Sequence, residues 1–240
     1  LQKIGAFAEY AAIDASAIAK VPEYLSDEEA ACVPLTALTA LQAFELMHPK
    51  AGETVFISGG TGSLGAMAIP VAKSFGLTVI TNGNGASEER VRKLGADRFI
   101  NYKKEDYTKV LSDVDYVLDT LGDRELAKEF AILKKGGSLV SLRGLPNGEF
   151  ATRSGMSFIK RMMFKIAGGK YDKMAAANNQ KYLFIFVHED GAGLEKISEI
   201  FMDSHIEASV DEVFDLDDVN KALKKVASGG SRGKTVLKLV

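Results

Sequence analysis

The fold of this chain is decided by the stretch Thr54-Val55-Phe56-Ile57-Ser58-Gly59-Gly60-Thr61-Gly62-Ser63-Leu64-Gly65. Its first four residues are apolar and partly β-branched without alternation, as expected for a buried strand of a parallel sheet. Gly60, Gly62 and Gly65 form a G-x-G-x-x-G motif, which permits a tight turn, close approach of a pyrophosphate and close packing of the next helix. A helix over 63–75 would direct its free N–H groups at that pyrophosphate. We therefore predict a strand, a dinucleotide-binding turn and a helix; a glycine-rich turn without a ligand is the alternative.

Strands and helices alternate along the rest of the chain. Before the motif, Ser26 and Glu29 have the spacing of a capping box, and a helical pattern over 28–47 is interrupted at Pro34. After it, the pattern predicts strands at 77–81, 98–101, 116–119, 138–142 and 182–187, separated by helices at 87–94, 104–111 and 124–133. A helix at 194–202, a strand at 210–214, a helix at 216–227 and a strand at 235–240 follow. Such alternation implies right-handed crossovers and a doubly wound parallel sheet, so the predicted fold class is α/β.

Three further segments carry expectations of their own. The apolar pieces at 6–13 and 17–21 are predicted to be strands, for which the chain offers no evident partner strands. Pro70 lies inside the helix after the motif, where it removes one N–H group and should kink the helix. The basic, Met-rich piece at 158–165 is expected to form an amphipathic helix on the surface or over a pocket, rather than a membrane anchor.

Composition excludes several classes of function. The 240 residues are 46% hydrophobic, which suffices for a substantial core, and the net charge of −2 gives no basic field for nucleic acid or an anionic membrane. No apolar run is long enough to span a membrane, and the first residues lack a signal-peptide pattern. Cys32 is the single cysteine, so an internal disulfide is impossible. These features predict a cytoplasmic protein without nucleic-acid or membrane partners.

Short motifs spread over nearly the whole chain carry a family resemblance. They are Phe7-Ala8-Glu9-Tyr10, Ala30-Ala31, Pro34-Leu35, Leu38-Thr39-Ala40, the glycine motif, Leu94-Gly95-Ala96-Asp97, Asn101-Tyr102, Asp119 with Gly122, and Arg232-Gly233-Lys234. In these motifs the chain resembles the medium-chain dehydrogenase/reductase superfamily, and within it the zinc-independent NADPH:quinone reductases and enone (alkenal) reductases. The resemblance implies an NADP-binding Rossmann domain at 33–203, a remnant of a GroES-like, β-rich catalytic domain at 1–32 and a return to that domain at 204–240. It also implies that most of the N-terminal catalytic part is missing.

The resemblance implies NADPH as the cofactor. A site that prefers NAD places Asp or Glu after the second strand, whereas the loop at 82–87 contains no carboxylate. Carried over from the family, the contacts to the 2′-phosphate fall on Asn82, Ser87, Tyr102 and either Arg232 or Lys234. The family's loop lysine has no match in this chain, and Arg90 is the nearest cation.

The resemblance also places the nicotinamide end of the cofactor. Thr39 would lie near its ribose, and backbone groups from Leu142 to Gly144 would lie near its carboxamide. Phe184 and Phe186 would border the nicotinamide and the substrate, although core packing or a dimer seam would explain this pair equally well. The full set of predicted cofactor-binding residues is Thr39, Ser58, Gly60, Thr61, Gly62, Ser63, Leu64, Gly65, Asn82, Gly83, Ser87, Tyr102, Leu142, Gly144, Phe184, Phe186, Arg232 and Lys234.

A metal site is not expected. The zinc-dependent branch of the family has a ligand at the position of Leu35, whose side chain cannot bind a metal. His48, His188 and His205 are scattered, and no four cysteines cluster for a structural zinc. The chain is therefore predicted to act without zinc.

The function implied by the resemblance is that of an NADPH-dependent oxidoreductase, which transfers hydride to a quinone or an α,β-unsaturated carbonyl as its small-molecule substrate. A homodimer paired through an edge strand is implied as well, and no residue of this chain is assigned as a general acid. Two alternatives stay open: a noncatalytic NADPH-binding sensor or structural protein, and a zinc-type alcohol dehydrogenase. A short-chain dehydrogenase and a Ser-His-Asp hydrolase are disfavoured, because Tyr-x-x-x-Lys and G-x-S-x-G are absent.

Overall fold

The computed structural model describes residues 7–8, 10–229 and 233–239. The chain divides into two compact units, which are described separately. The central unit is Thr39–Phe186, and the terminal unit combines Leu1–Leu38 with Val187–Val240. The Rossmann domain predicted at 33–203 contains the whole central unit.

The helices and strands follow one another in the order that the sequence predicts over most of the chain. The helices are α1 (Asp27–Ala31), α2 (Pro34–Met47), α3 (Ser63–Ser74), α4 (Glu88–Lys93), α5 (Asp123–Ile132), α6 (Gly148–Arg153), α7 (Phe158–Ala167), α8 (Gly169–Ala177), α9 (Gly191–Ser204) and α10 (Val219–Ser228). The strands are β1 (Thr54–Ile57), β2 (Thr78–Gly83), β3 (Arg98–Asn101), β4 (Val114–Asp119), β5 (Leu133–Ser141), β6 (Lys181–Phe184), β7 (Val210–Asp215) and β8 (Lys234–Lys238). Short 3-10 turns lie at Ala15–Ala17, Gly85–Ser87, Tyr107–Lys109 and Leu216–Asp218.

The central unit is built on a six-stranded parallel sheet in the order β3-β2-β1-β4-β5-β6. This architecture confirms the predicted α/β Rossmann fold. From β1 the chain first adds β2 and β3 on one side and then crosses to β4 on the other. The carboxyl ends of β1 and β4 therefore flank a crevice, which is the usual ligand position in such sheets.

The core of the central unit explains why β1 carries no polar alternation. Val55, Phe56 and Ile57 are fully buried, since β1 has a neighbouring strand on each side. The ring of Phe56 packs on that of Tyr107, with centroids 4.8 Å apart. This contact ties the 3-10 turn before β4 to the centre of the sheet.

The terminal unit contains the parallel pair β7–β8 with α10 and α1 against it. The Tyr24 hydroxyl donates to the carbonyl oxygens of Phe201 and Ile206, at 2.9 and 2.8 Å. The Tyr24 ring also stacks on His205, which ends α9 in a left-handed conformation with φ of 46°. One tyrosine thus secures the carboxyl end of α9.

Several local predictions are confirmed. Ser26 and Glu29 form both hydrogen bonds of the capping box at the start of α1. Pro34 opens α2, a position where proline loses no helical hydrogen bond. The predicted amphipathic helix is α7, whose Phe164 packs edge-on against Phe150 while Ile159 and other apolar side chains are exposed. The helix α3 includes Pro70 and continues to Ser74, so the proline does not end it, and the kink expected at this residue stays a prediction.

Two predictions are wrong. The described residues within 7–21 form no strand, because a strand needs a paired neighbour, and only the turn at Ala15–Ala17 is regular there. The predicted helix at 104–111 is only the 3-10 turn Tyr107–Lys109. Its backbone N–H groups are taken by other acceptors: the Asn101 carbonyl accepts from Lys104, and the Asp106 carboxylate accepts from Thr108. Such local hydrogen bonds compete with helix formation.

Side chains of α6 cover the outer edge of β6. The Ile185 N–H group donates to the Ser141 carbonyl at 3.2 Å, so the alternating residues Tyr182 and Phe184 direct their carbonyl groups away from β5. The Asn147 side-chain amide donates to the Tyr182 carbonyl at 3.3 Å, and the Arg153 guanidinium donates to the Phe184 carbonyl at 2.7 Å. Both outward carbonyl groups of this edge are therefore occupied.

We predict that Asn147→Ala destabilises the protein. Asn147 is 1% exposed, accepts from the Phe150 N–H group as the N-cap of α6, and donates to Asp172 as well as to β6. Losing the cap and leaving the Tyr182 carbonyl without its donor should lower the free energy of unfolding by about 1–3 kcal/mol. Urea denaturation measures this change.

The matched control is Asn178→Ala, at an exposed residue that follows α8. It should change the free energy of unfolding by less than about 0.5 kcal/mol. Equal losses in the two variants would contradict the structural role given to Asn147.

Candidate functional site

The central unit contains a cavity of about 1090 Å³ at the carboxyl ends of β1 to β4. Its walls are the glycine turn, the ends of β2 and β3, the 3-10 turn before β4 and the turn after β4. The lining residues are Gly59, Thr61, Gly62, Ser63, Leu64, Gly65, Asn82, Gly83, Tyr102, Lys103, Lys104, Glu105, Asp106, Tyr107, Lys109, Thr120, Leu121, Glu125 and Lys128. The cavity therefore lies in the crevice that the strand order predicts.

Close backbone contacts make glycine necessary in the turn. A Cβ atom on Gly65 would lie 2.5 Å from both the Gly59 carbonyl oxygen and the Gly60 Cα atom. A Cβ atom on Gly60 would lie 1.8 Å from the Thr81 hydroxyl oxygen, and Gly59 itself has a φ of +70°. The helix α3 can begin directly against the turn only because these atoms are absent.

Hydrogen bonds with side chains of β2 and α4 hold the turn and the end of β1 in place. The Gly59 N–H group donates to the Asn82 side-chain oxygen at 2.7 Å. The Thr81 hydroxyl donates to the Ile57 carbonyl at 2.7 Å, and the Arg90 guanidinium donates to the Thr61 carbonyl at 2.6 Å. The turn is thus fixed before any ligand binds.

The first turn of α3 faces the cavity. Gly62 is the N-cap of this helix and has no side chain that could accept a hydrogen bond. The next three residues, Ser63, Leu64 and Gly65, line the cavity. N–H groups in a first helical turn have no acceptor within the helix, and they carry the positive end of the helix dipole. This geometry suits a phosphate group.

Basic side chains lie on the opposite wall, at the end of β3. The Asn101 side-chain oxygen accepts from the Lys103 N–H group at 3.0 Å, and the Asn101 carbonyl accepts from the Lys104 N–H group at 2.9 Å. This turn places Lys103 and Lys104 on the cavity wall beside Tyr102. Lys128 lines the cavity too, but its ammonium group pairs with Glu125 at 3.0 Å. The two lysines were missed in the sequence, although they directly follow the Asn101-Tyr102 motif.

Most residues predicted to bind the cofactor lie at or behind this cavity. Thr61, Gly62, Ser63, Leu64, Gly65, Asn82, Gly83 and Tyr102 line it, and Gly60 lies within the turn. Ser58 is fully buried behind the turn, and Asn82 is only 5% exposed because its oxygen binds Gly59. Ser87 is not among the lining residues; its N–H group donates to the Asn84 carbonyl.

The remaining predicted residues lie elsewhere. Thr39 is buried in α2, and Phe184 is buried in the core, where its ring meets Phe150 edge-on at 5.1 Å. Phe186 is 73% exposed. Lys234 begins β8 in the terminal unit, whereas Arg232 lies outside the described residues. The structure therefore brings the phosphate-end residues together, and within the central unit Thr39, Phe184 and Phe186 are not among the residues that line the cavity.

Asp119 fixes the turns that follow β4 and β5. One of its carboxylate oxygens accepts from the N–H groups of Leu121 and Gly122, at 2.8 and 2.7 Å. The other accepts from the Ser141 hydroxyl at 2.5 Å, and the Ser141 oxygen accepts in turn from the Gly144 N–H group at 2.8 Å. The Leu142 N–H group donates to the Asp119 carbonyl. The backbone at Leu142 and Gly144, predicted to meet the nicotinamide, is thus held through Asp119.

A second buried carboxyl group lies close to Asp119. Glu129 is 0% exposed on the inward face of α5, and neither of its carboxyl oxygens has a hydrogen-bond partner among the described residues. Burial, with the nearby charge of Asp119, raises the pKa of Glu129 well above its usual range, and the Ser58 hydroxyl opposes this only in part. The sequence contains a signal for it: a Glu among the apolar positions of Leu126 and Phe130 on one helix face.

Within the described ranges, no three His, Cys, Asp or Glu side chains are grouped as metal ligands would be. Leu35, at the position of a zinc ligand in the resembled branch, is 60% exposed. The described part of the chain also has no helix of the length and hydropathy needed to cross a membrane.

Comparison with known proteins adds a family match. Residues 94–237 match the family model for zinc-binding dehydrogenases. The 2-methylene-furan-3-one reductase of Solanum lycopersicum is 32% identical over 70% of this chain and 44% of its own length. The mitochondrial NAD(P)H oxidoreductase RTN4IP1 of Danio rerio is 29% identical over 99% of this chain and 64% of its own length. The chain therefore spans less than two thirds of the length of these relatives.

A solved structure of an oxidoreductase has a similar fold. The quinone oxidoreductase of Thermus thermophilus, which was also solved in complex with NADPH, matches this fold with a TM-score of 0.67. The match is 25% identical and covers 91% of this chain and 68% of the other.

We predict that Gly65→Ala destabilises the central unit. The added Cβ atom would meet backbone atoms of Gly59 and Gly60, which cannot rotate away as a side chain can. Relieving this overlap should cost about 1–3 kcal/mol of unfolding free energy. The control is Gly169→Ala, where no atom lies within 4 Å of the added methyl group. Equal stability of the two variants in urea denaturation would rule out the tight contact.

We also predict that Glu129→Gln becomes more stable than the wild type as the pH rises. The unfolded chain releases this proton near pH 4.5, whereas the folded protein retains it to higher pH. Wild-type stability should therefore fall between the two pKa values, by up to about 1.4 kcal/mol per pH unit, while a glutamine does not titrate. Urea denaturation between pH 5 and pH 8 measures the difference.

The exposed Glu199→Gln variant serves as the control, because Glu199 lies on the surface of α9. Its stability relative to the wild type should stay constant across the same range. A constant difference between Glu129→Gln and the wild type would show that Glu129 titrates normally.

Proposed function

Because the chain belongs to the zinc-binding dehydrogenase family, within the medium-chain dehydrogenase/reductase superfamily, we propose that its cavity binds NADPH. We further propose that the protein transfers hydride from NADPH to a quinone or an α,β-unsaturated carbonyl. The observation that carries this proposal is the glycine turn, whose missing Cβ atoms let the first turn of α3 face a cavity of about 1090 Å³. The names of the tomato reductase and of the Thermus quinone oxidoreductase support the substrate classes.

The pyrophosphate would lie against the glycine turn. The N–H groups of Ser63, Leu64 and Gly65 would donate to its oxygens, and the helix dipole favours its negative charge. The residues present fit this group, because no side chain from Gly59 to Gly60 or at Gly62 fills the space that it needs. Asn82 and Arg90 would act from behind by holding Gly59 and Thr61.

The 2′-phosphate of NADPH would lie between the ends of β2 and β3. No carboxylate of the 82–87 loop would repel it, and Tyr102, Lys103 and Lys104 line the cavity there. Arg90 is half-buried and directed at the Thr61 carbonyl, so the two lysines replace the loop lysine that the chain lacks. Glu105 and Asp106 line the same wall and would weaken the attraction without cancelling it. Ser87, Arg232 and Lys234 stay proposed as further contacts.

The nicotinamide would lie beyond the ends of β4 and β5. Asp119 and Ser141 hold the backbone of Leu142 and Gly144, and this backbone would orient the carboxamide. When bound, the nicotinamide supplies the hydride, while the protein binds, orients and excludes water. We propose that no zinc takes part, because the aliphatic side chain of Leu35 cannot coordinate a metal. We also propose a cytoplasmic homodimer, with Phe186 beside the substrate or the dimer seam.

We predict that Lys103→Gln/Lys104→Gln binds NADPH at least about tenfold more weakly than the wild type, a change of about 1.4 kcal/mol. The affinity for NADH should stay within about twofold, because NADH lacks the 2′-phosphate that the lysines would meet. Nicotinamide fluorescence titration with each cofactor measures both affinities. Consumption of NADPH with a quinone or an enone as acceptor then tests hydride transfer.

The control is Lys93→Gln/Lys221→Gln, which removes two exposed lysines from other surfaces and changes the net charge equally. It should leave the preference for NADPH intact. Equal affinities of the wild type for NADPH and NADH would refute the 2′-phosphate site. Binding of NADPH without reduction of a quinone or an enone would favour the alternative of a noncatalytic NADPH-binding sensor.

A further inference from the structure

Glu129 is a buried acid whose presence the proposed reaction does not explain. It lies on the face of α5 that packs into the core, with Leu126 and Phe130 as its neighbours on that face. Both of its oxygens lack a hydrogen-bond partner among the described residues. Burying a polar group in this way costs free energy, and an apolar residue would fill the position more favourably.

The groups around Glu129 disfavour a negative charge. Asp119 faces it from the end of β4 and Glu125 from one turn earlier on α5, and both carboxyl groups oppose a charge on Glu129. Tyr107, in the 3-10 turn before β4, is close enough for a charge on Glu129 to raise the pKa of its phenol. The basic residue that α8 brings to α5 is Lys170, which pairs with Asp123 in the first turn rather than with Glu129. The Ser58 hydroxyl is the nearby group that favours the charged form. Burial and the neighbouring carboxyl groups therefore raise the pKa of Glu129 and favour its neutral form.

Ser58 connects this acid to the cavity. It directly precedes Gly59, and it joins the glycine turn to the turn after β4. The Thr120 hydroxyl donates to the Ser58 carbonyl at 2.7 Å, and the Thr120 N–H group donates to the Ser58 hydroxyl oxygen at 3.3 Å. Thr120 and Gly59 both line the cavity. A charge on Glu129 would thus lie behind the wall that faces the cofactor's phosphates.

We propose that Glu129 is a positioning residue that couples proton binding to dinucleotide binding. The neutral acid leaves the glycine turn free of negative charge. The ionised acid repels both Asp119 and the incoming pyrophosphate through a poorly screened interior. This inference rests on the dinucleotide site proposed above and adds a dependence on pH to it.

Linkage makes the coupling reciprocal. If protonation of Glu129 strengthens dinucleotide binding, then the bound dinucleotide must strengthen proton binding at Glu129. Cofactor binding should therefore take up a proton at a pH where the free protein has begun to ionise Glu129. A purely structural role of this side chain would produce no such proton uptake.

The test compares the wild type with Glu129→Gln, which keeps the size of the side chain but cannot ionise. Calorimetric titration with NADH from pH 6 to pH 10 gives both the affinity and, in buffers of different ionisation enthalpy, the protons taken up. The affinity of the wild type should fall about tenfold or more relative to the variant across this range. Proton uptake should occur in the wild type and be absent in the variant.

A second variant protects the test against a folding defect. Glu129→Met also cannot ionise, so its affinity for NADH should depend on pH in the same way as that of Glu129→Gln. The exposed Glu199→Gln variant should show the pH dependence of the wild type. Urea denaturation at each pH confirms that the variants tested are folded.

The outcomes separate the two proposals. If the wild type and both Glu129 variants bind the dinucleotide with the same pH profile and the same proton uptake, the coupling is overturned. That result leaves the proposed dinucleotide site intact. Absence of dinucleotide binding at every pH overturns the proposed function and the coupling together. A pH profile that differs as expected, with proton uptake only in the wild type, supports both.

Discussion

The central unit depends on backbone contact between the glycine turn and the first turn of α3. A Cβ atom added to Gly65 would lie 2.5 Å from the Gly59 carbonyl oxygen and 2.5 Å from the Gly60 Cα atom. This approach lets a helix start directly at the end of the central strand, so its unpaired N–H groups open into the crevice beside β4. The Asn82 side-chain oxygen accepts from the Gly59 N–H group, and Thr81 and Arg90 donate to the carbonyl groups of Ile57 and Thr61, which places side-chain partners on both sides of the turn.

The parts of the structure that local sequence controls could be predicted, and those that depend on distant partners could not. The strand β1, the glycine turn, the capping box at Ser26 and the alternation of strands and helices along the chain follow from patterns a few residues long. The helix predicted at 104–111 failed because Asn101 and Asp106 take up its N–H groups. Among the described residues before 22, the predicted strands are absent because a strand needs a paired neighbour. Within the site, the turn was predictable, whereas Lys103 and Lys104 reach the cavity only through the turn that Asn101 makes.

Electrostatics in this chain is local rather than global. The net charge of −2 suggests a nearly neutral molecule, yet lysines collect on one wall of the cavity and a helix N-terminus forms the other. Behind the glycine turn, Asp119 serves as an acceptor for three groups, while Glu129 has no partner among the described residues and favours its neutral form. Burial and the nearby charge of Asp119 raise the pKa of Glu129, whereas the carboxylate of Asp119 is occupied by three donors that hold the turns after β4 and β5.

The covered edge of β6 has a consequence for self-association. An open edge strand is a template on which another chain can add, and this holds for ordered assembly and for aggregation alike. Here Asn147 and Arg153 already occupy the outward carbonyl groups of Tyr182 and Phe184. A second copy that pairs along β6 must first displace both donors and with them the anchoring of α6. Association at this edge is therefore an exchange of hydrogen bonds rather than a simple gain, and two donors that already belong to the chain compete with any second copy for the same carbonyl groups.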